Sequence, residues 1–355
     1  MALLPDATYD DPAVLDGFAP VPLIDISPVR GAPAERAAVA AEVAAALEGI
    51  GFMMITGHGV PQALIDELFA VSYEFFTLPL EEKLRASSPD HNRFQGYAAP
   101  GQVDGAQISE RQSFNVHRFN TLEEAWASGY PADCGTSIHP AMWPVRPAAF
   151  RDVWRRYFAA MEVLGAELMS IVELALGIPA GYFADKIDRH QSALVGNYYS
   201  FDIDSGREPS PFRFKAHVDD SALLTILYQD DGPGGLQLHQ RGKGWRTVLP
   251  VPGAYVVNIG QVLERWTNDK FVATPHRVLR PPETETAPRL SVPFFFKCNL
   301  DAVIEPPPGL LAEGEERRYP TITGREWAQR THRNDYDSPL AFAERAALDP
   351  LLQTT

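Results

Sequence analysis

The stretch Ala216-His217-Val218-Asp219 sets an imidazole and a carboxylate two positions apart. On an extended strand, side chains two apart point to the same side, so both can reach one metal ion. A third donor, His276, lies on a later predicted strand. Two imidazoles and one carboxylate on one face of an octahedral ion leave three positions open. That is the donor set of a non-haem Fe(II) centre at which a cosubstrate and O₂ can both bind. A second pair follows on the next predicted strand, where Arg289 and Ser291 share a face. A guanidinium fork and a hydroxyl together suit one carboxylate. The residues after them, Val292-Pro-Phe-Phe-Phe-Lys297, are apolar. A buried arginine there requires an anionic partner, either a ligand or a protein carboxylate. Phosphate-cradling GxxxxGK[ST] and GxGxxG loops and a GxSxG serine elbow are missing from the sequence.

These side chains need a rigid frame. From Ser192 onward, short apolar runs alternate with turn signals, at 192–201, 221–228, 236–239, 245–248, 254–260, 276–280 and 289–299. Many short strands at this spacing predict a sandwich or barrel. Upstream, the pattern is helical. Val39, Val43 and Leu47 recur at four-residue spacing, and Leu64, Leu68, Val71 and Phe75 form a second stripe. Phe52 to Thr56 lies between them as a strand. The longest pattern runs from Pro147 to Leu176 and is stopped by Gly177 and Pro179. Residues 1–18 read as a loose arm, 87–146 as long loops with brief strands, and 324–331 and 338–347 as helices.

Composition narrows the classes further. The chain has 355 residues, with 31 basic and 46 acidic side chains and a formal charge of −15. An acidic chain without a basic run excludes nucleic acid and anionic membrane surfaces as expected partners. No apolar stretch approaches the roughly 20 residues that span a bilayer. Met1 to Asp10 lacks the pattern of a secretory signal. Two cysteines, Cys134 and Cys298, make neither a disulfide framework nor a metal knuckle. The expected location is the cytoplasm.

Taken in order along the chain, the motifs resemble those of the isopenicillin N synthase-like 2-oxoglutarate/Fe(II)-dependent dioxygenases. The resemblance runs from about residue 20 to 305. Its N-terminal part rests on Pro22-Leu-Ile-Asp-Ile26, on Gly51-Phe52 with Gly57-His58-Gly59-Val60, and on Phe75-Phe76-Thr77-Leu78-Pro79 with Glu81-Glu82-Lys83. Its core part rests on Asn197-Tyr198-Tyr199, His217-x-Asp219, Gly234-Gly235-Leu236-Gln237, Asn258-Ile259-Gly260, His276-Arg277 and Arg289-x-Ser291.

The resemblance implies an α+β fold, mainly β with helices, in which a double-stranded β-helix (jelly roll) core is braced by N-terminal helices. It implies Fe(II), 2-oxoglutarate as cosubstrate and O₂, with His217, Asp219 and His276 on the metal. Arg289, Ser291 and Tyr199 would bind the distal carboxylate of 2-oxoglutarate, and Asn197 matches an asparagine near the iron. The expected organisation is an N-terminal dioxygenase region at 20–145, a bracing helix at 146–190, the jelly-roll core at 191–300 and a C-terminal helical tail at 301–355. The expected reaction is oxidation of a C–H bond of a small molecule by hydroxylation, desaturation or cyclisation, in specialised metabolism.

Substrate candidates follow from position: Arg93, Phe94 and Tyr97; Arg111, Phe114 and Asn115; Phe212, Phe214 and Lys215; and Phe294 and Phe296. A basic side chain among Arg93, Arg111 and Lys215 facing the metal would select an anionic substrate. His58 sits in a strand-to-helix turn and reads as structural. His91, His117, His139, His190, His239 and His332 have no spaced partner. Departures from the family pattern are Gln261 in place of a common aspartate, a longer segment between Tyr199 and His217, and an extended Pro281 to Pro288. Three other readings stay open on sequence: an iron oxidase that does not use 2-oxoglutarate, a non-catalytic jelly-roll binding protein, and a zinc hydrolase.

Overall fold

The computed structural model describes residues 18–89, 94–100, 103–104, 107–108, 111–130, 141–200, 211–230, 234–240, 242–280 and 287–336. The N-terminal arm, Arg93, His91, His139, Cys134 and the expected helix at 338–347 lie outside them, as does the side chain of His332.

The chain opens with β1 (Leu23–Asp25), α1 (Pro33–Gly49), β2 (Phe52–Thr56), α2 (Gln62–Phe76) and α3 (Leu80–Leu84). Short strands follow: β3 (Gly96–Ala98), β4 (Val103–Asp104), β5 (Gln107–Ile108) and β6 (Gln112–His117). Next come α4 (Leu122–Ala127), α5 (Phe150–Leu176) and α6 (Ala184–Ile187). The strand-rich half contains β7 (Ala193–Tyr199), β8 (Phe212–His217), β9 (Leu224–Gln229), β10 (Leu236–Gln240) and β11 (Gly244–Thr247). It continues through β12 (Tyr255–Ile259), α7 (Gln261–Trp266), β13 (His276–Leu279) and β14 (Arg289–Phe296). A small hairpin of β15 (Val303–Ile304) and β16 (Ile322–Thr323) leads into α8 (Gly324–Tyr336).

Two sheets carry the fold. The larger has the order β1-β2-β12-β9-β14-β7-β6-β3, and the smaller β11-β10-β13-β8. Apart from the parallel β1–β2 pair, neighbouring strands in both run antiparallel. This is the jelly-roll architecture, and strands from the N-terminal half extend its large sheet at both edges.

Alternation divides each strand of the large sheet between two environments. On β14 the even residues Leu290, Val292, Phe294 and Phe296 enter the main apolar core. There they meet Trp154, Phe158, Met161, Leu164 and Leu168 of α5. The approach is close: a methyl on Gly165 of α5 would lie 2.8 Å from the Phe296 ring. The odd residues of β14 face the other way, into a cavity between the sheets. Helix α5 thus fixes the outer face of the strand that carries Arg289 and Ser291.

Most expected elements are present with shifted ends. The long helix begins at Phe150 rather than Pro147, and α8 extends past the expected 324–331. Three features were not expected. α4 is a short helix within 87–146, capped by the Thr121 hydroxyl accepting from the Glu124 amide at 3.2 Å. α7 is six residues long and follows Gly260 directly. β8 begins five residues ahead of His217, and its register against β13 is interrupted between His276 and Val278.

Candidate active site

His217 ends β8 and His276 opens β13, and the two pair directly across the small sheet. Asp219 sits just beyond β8. Its Oδ1 lies 3.7 Å from His217 Nε2 and 3.8 Å from His276 Nε2. One ligand atom from each of the three residues lies within 4.8 Å of the others.

The outer atoms of the triad are held by neighbours. Asp219 Oδ2 accepts from Thr225 Oγ1 at 2.6 Å and from Asn258 Nδ2 at 2.7 Å. His217 Nδ1 meets the Lys215 carbonyl at 2.9 Å, and His276 Nδ1 meets the Thr274 carbonyl at 3.2 Å. A carbonyl only accepts, so each Nδ1 carries the proton and each Nε2 presents a lone pair inward. Burial would raise the Asp219 carboxyl, but the two imidazoles and the Thr225 and Asn258 hydrogen bonds outweigh it and hold its pKa low. Burial, then the neighbouring His276, pushes the His217 pKa down. The donor set is therefore one carboxylate and neutral imidazole, the form that ligates a divalent metal.

Gly260 positions this triad from behind. A methyl there would come within 2.1 Å of the Ala222 carbonyl oxygen, so only glycine lets the start of α7 approach the loop that carries Asp219. The Gln261 amide then donates to the Asp219 carbonyl at 2.8 Å.

Arg289 is 1% exposed. Its Nη1 donates to Ser291 Oγ at 3.0 Å and its Nη2 to Gln229 Oε1 at 2.6 Å. Its Nε has no hydrogen-bond partner among the described residues. The nearby Asp230 carboxylate is bound by Tyr73 and by the Leu290 amide. Burial lowers the Arg289 pKa, opposed by Tyr199, Asp230 and Tyr73. A guanidinium this deep, joined to a hydroxyl and an amide and, among the described residues, to no carboxylate, is a niche for an external anion. Tyr199, opposite Arg289 on β7, places its ring 5.6 Å from the guanidinium carbon. Asn197, opposite Ser291, has a buried Oδ1 without a partner among the described residues.

Both groups line one cavity of about 380 Å³, a volume that suits a small organic ligand. The metal donors stand mainly on the small sheet and the Arg289 niche on the large one. A chelating dicarboxylate reaching from one to the other fits this arrangement of donors and orphaned polar atoms.

The sequence candidates for substrate divide. Phe94, Arg111, Asn115 and Phe214 line the cavity. Tyr97, Phe114, Phe294 and Phe296 instead pack in the apolar core. The Tyr97 hydroxyl donates to Gln112 at 2.9 Å, and Phe114 meets Phe75, Phe150 and Trp154. The reason is strand parity, since even positions on β6 and β14 face away from the cavity. Phe212 lies beneath the Arg277 guanidinium, 5.1 Å from its ring centroid, and neither Phe212 nor Lys215 is among the cavity-lining residues. Sequence reasoning passed over His117, Gln191, Lys297, Trp327, Ala328 and Thr331, which do line it. His117 shares its parity with Arg111 and Asn115. Trp327, Ala328 and Thr331 share one helical face, and Trp327 Nε1 donates to the Asp220 carbonyl at 2.7 Å. His58 is bonded as a turn residue, with Nδ1 accepting from the Val60 amide and Nε2 donating to the Gly253 carbonyl, both at 3.1 Å.

A jelly roll with two imidazoles, one carboxylate and a buried arginine niche in one cavity defines a class of oxygen-activating metalloenzymes. Comparison with known proteins gives the family. Residues 21–144 match the model described as non-haem dioxygenase in morphine synthesis N-terminal, and residues 190–297 match the 2OG-Fe(II) oxygenase superfamily. The chain is 32% identical to the 2-oxoglutarate-Fe(II) type oxidoreductase ppzC of Metarhizium rileyi, over 89% of this chain and 88% of that protein. It is 31% identical to gibberellin 20 oxidase 1 of rice (Oryza sativa subsp. japonica), covering 91% and 84% respectively. Among solved structures, a full-length Neurospora crassa protein in complex with alpha-KG and thymine superposes with a TM-score of 0.74 at 27% identity, covering 91% of this chain and 99% of that one. The chain belongs to the 2-oxoglutarate/Fe(II)-dependent dioxygenase family. It is a non-haem oxygenase that uses Fe(II), 2-oxoglutarate and O₂. None of its described helices is long and apolar enough to cross a membrane.

Proposed function

We propose that His217, Asp219 and His276 hold the iron, that Arg289 and Ser291 bind the distal carboxylate of 2-oxoglutarate beside Tyr199, and that Asn197 borders the same ligand. The observation that carries this reading is the buried Arg289 guanidinium, bonded to no carboxylate among the described residues, in the same cavity as the three donors. Bound Fe(II) and 2-oxoglutarate would supply the oxidising chemistry, in which one oxygen atom of O₂ goes to succinate as 2-oxoglutarate loses CO₂, and the other goes into a hydroxylated product or, for desaturation and cyclisation, to water. The chain's own part is positional. Thr225 and Asn258 turn Asp219 toward the metal, the Lys215 and Thr274 carbonyls fix the imidazole tautomers, and Arg289 sets the direction from which the cosubstrate reaches the metal. The remaining cavity wall orients a small molecule so that one C–H bond lies near the centre.

In this reading residues 20–145 form the N-terminal dioxygenase region, 146–190 the brace, 191–300 the catalytic core and 301–355 a tail whose first helix borders the cavity. Hydroxylation, desaturation and cyclisation are all reachable from such a site, with specialised metabolism as the setting. The free, buried thiol of Cys298 suits a reducing cytoplasm.

The test is anaerobic reconstitution with Fe(II) and 2-oxoglutarate, following the visible metal-to-ligand charge-transfer band. The band is expected in the native protein and absent in His217→Ala. In Arg289→Lys it should need about 10- to 100-fold more 2-oxoglutarate, the loss expected for a charge-assisted hydrogen-bond pair. Iron binding without a band, or a band indifferent to Arg289, would overturn the assignment.

A further inference from the structure

Resting on that reading of the site, we propose that Tyr73 is a positioning residue for 2-oxoglutarate: its hydroxyl holds the Asp230 carboxylate away from Arg289, so that the guanidinium stays open to the cosubstrate.

Asp230 directly follows β9, and its amide donates to the Leu290 carbonyl of β14 at 3.1 Å. The Leu290 amide does not return to a backbone carbonyl, as a regular antiparallel pair would require, but donates to Asp230 Oδ2 at 2.6 Å. A strand amide points along the plane of its sheet. The carboxylate therefore lies at the end of the ladder, beside the Arg289–Leu290 peptide. Burial lowers the Arg289 pKa, and Asp230, after Tyr199, is close enough to oppose it. Arg289 nevertheless bonds Ser291 and Gln229, and no carboxylate among the described residues. The same Oδ2 accepts from the Tyr73 hydroxyl. Burial, then the bond to Asp230, raises the Tyr73 pKa, so the phenol keeps its proton and remains a donor.

Helix α2 fixes where that hydroxyl stands. Phe69 and Tyr73 lie one turn apart on one face of the helix. Phe69 meets the Tyr228 ring edge-on, with centroids 5.6 Å apart, and Tyr73 meets Tyr198 at 5.8 Å. Tyr228 precedes Gln229 and Tyr198 precedes Tyr199, so α2 packs behind the strands whose opposite face forms the cosubstrate niche. A carboxylate beside a deeply buried guanidinium is strongly attracted to it, and an ion pair between them would occupy the donors that 2-oxoglutarate needs. The Tyr73 and Leu290 hydrogen bonds oppose that closure, and removing the phenol hydroxyl takes away one of these restraints. Once the closed pair holds about nine-tenths of the unliganded protein, the apparent Kd for 2-oxoglutarate rises about tenfold.

The experiment uses the full chain loaded anaerobically with Fe(II), titrated with 2-oxoglutarate while the charge-transfer band is followed. Four proteins are compared: native, Tyr73→Phe, Asp230→Asn and the double variant. Tyr73→Phe keeps the ring and its packing. It is expected to need about tenfold more 2-oxoglutarate, with iron affinity unchanged in competition with a ferrous chelator. Asp230→Asn alone should stay within about twofold of native, because its amide oxygen still accepts from both donors. The double variant should also return to within about twofold of native, since a neutral amide forms no ion pair with Arg289. A tyrosine that only braced the sheet would give the reverse, two lesions binding more weakly than one. The proposal is overturned if Tyr73→Phe binds 2-oxoglutarate as the native protein does, or if its iron affinity falls in parallel. It is overturned equally if the double variant stays as weak as Tyr73→Phe, or if Asp230→Asn alone loses about tenfold in affinity. Absence of the band in the native protein would instead refute the underlying assignment of iron and 2-oxoglutarate.

Discussion

At the scale of single residues, Asp219 does two jobs with two oxygens. Oδ2 is committed to Thr225 and Asn258, and only Oδ1 turns to the imidazoles. Asn258→Ala removes one of those constraints without touching a donor atom. Iron affinity should fall about 10- to 100-fold, as for other partners of metal ligands, measured by competition with a ferrous chelator; unchanged affinity would show that Thr225 alone orients the carboxylate. The donor spacing His217-x-Asp219 and the pair Arg289-x-Ser291 were legible in the sequence because period-two alternation brings each pair to one face. The same rule, applied to every candidate, separates Asn115 from Phe114 and Phe295 from Phe294. Phe214 escapes it, because the irregular β8–β13 register lets both Phe214 and His217 reach the cavity.

At the scale of elements, two contacts hold the site's supports together. Gly260 lets α7 approach the Asp219 loop. Gly260→Ala forces its methyl against the Ala222 carbonyl, and about 1–3 kcal/mol of stability should be lost, the usual cost of overpacking. Iron stoichiometry should fall with it. A full-strength melting curve and full iron content would contradict this account of the glycine. On the outer side, His190 precedes β7 and its Nε2 lies 3.1 Å from Glu162 of α5. Burial depresses the His190 pKa below its ordinary 6.5 even though Glu162 raises it. The unfolded chain therefore takes up a proton near pH 6.5 that the folded chain refuses. This stability contribution is complete above that pH and is lost as pH falls below it. Urea midpoints should drop between pH 7.5 and 5.5, and His190→Gln should flatten the drop; an identical slope in the variant would assign it to other groups. α5 could be read from its long 3.6-residue stripe. α7 could not, because six residues give too little period to register against a strand-rich background.

For the whole molecule, the cavity lies on the seam between the two sheets. Two metal donors belong to the small sheet, while Arg289 and Ser291 belong to the large one. Ligands that span the seam should therefore stabilise the fold by mass action, about 2.7 kcal/mol for a ligand at 100-fold its Kd. Iron alone should raise the melting temperature. 2-Oxoglutarate should raise it further only when iron is present, and Arg289→Lys should shrink the second increment at a fixed 2-oxoglutarate concentration while keeping the first. Equal increments in that variant would mean the cosubstrate does not bridge the sheets. The jelly roll was legible from the cadence of short strands after Ser192. The extension of its large sheet by β1, β2, β3 and β6 was not, because pairing over such separations leaves no local pattern in the chain.

Trp327 stands on the cavity wall with its indole nitrogen bonded to the Asp220 carbonyl, one residue from a proposed iron ligand. The protein therefore carries its own optical reporter. Ferrous iron quenches indole emission at short range, so anaerobic iron loading should dim the intrinsic fluorescence. Although the chain has six tryptophans, the dimming should shrink markedly in Trp327→Phe. A loss of equal size in that variant would assign the signal to another indole.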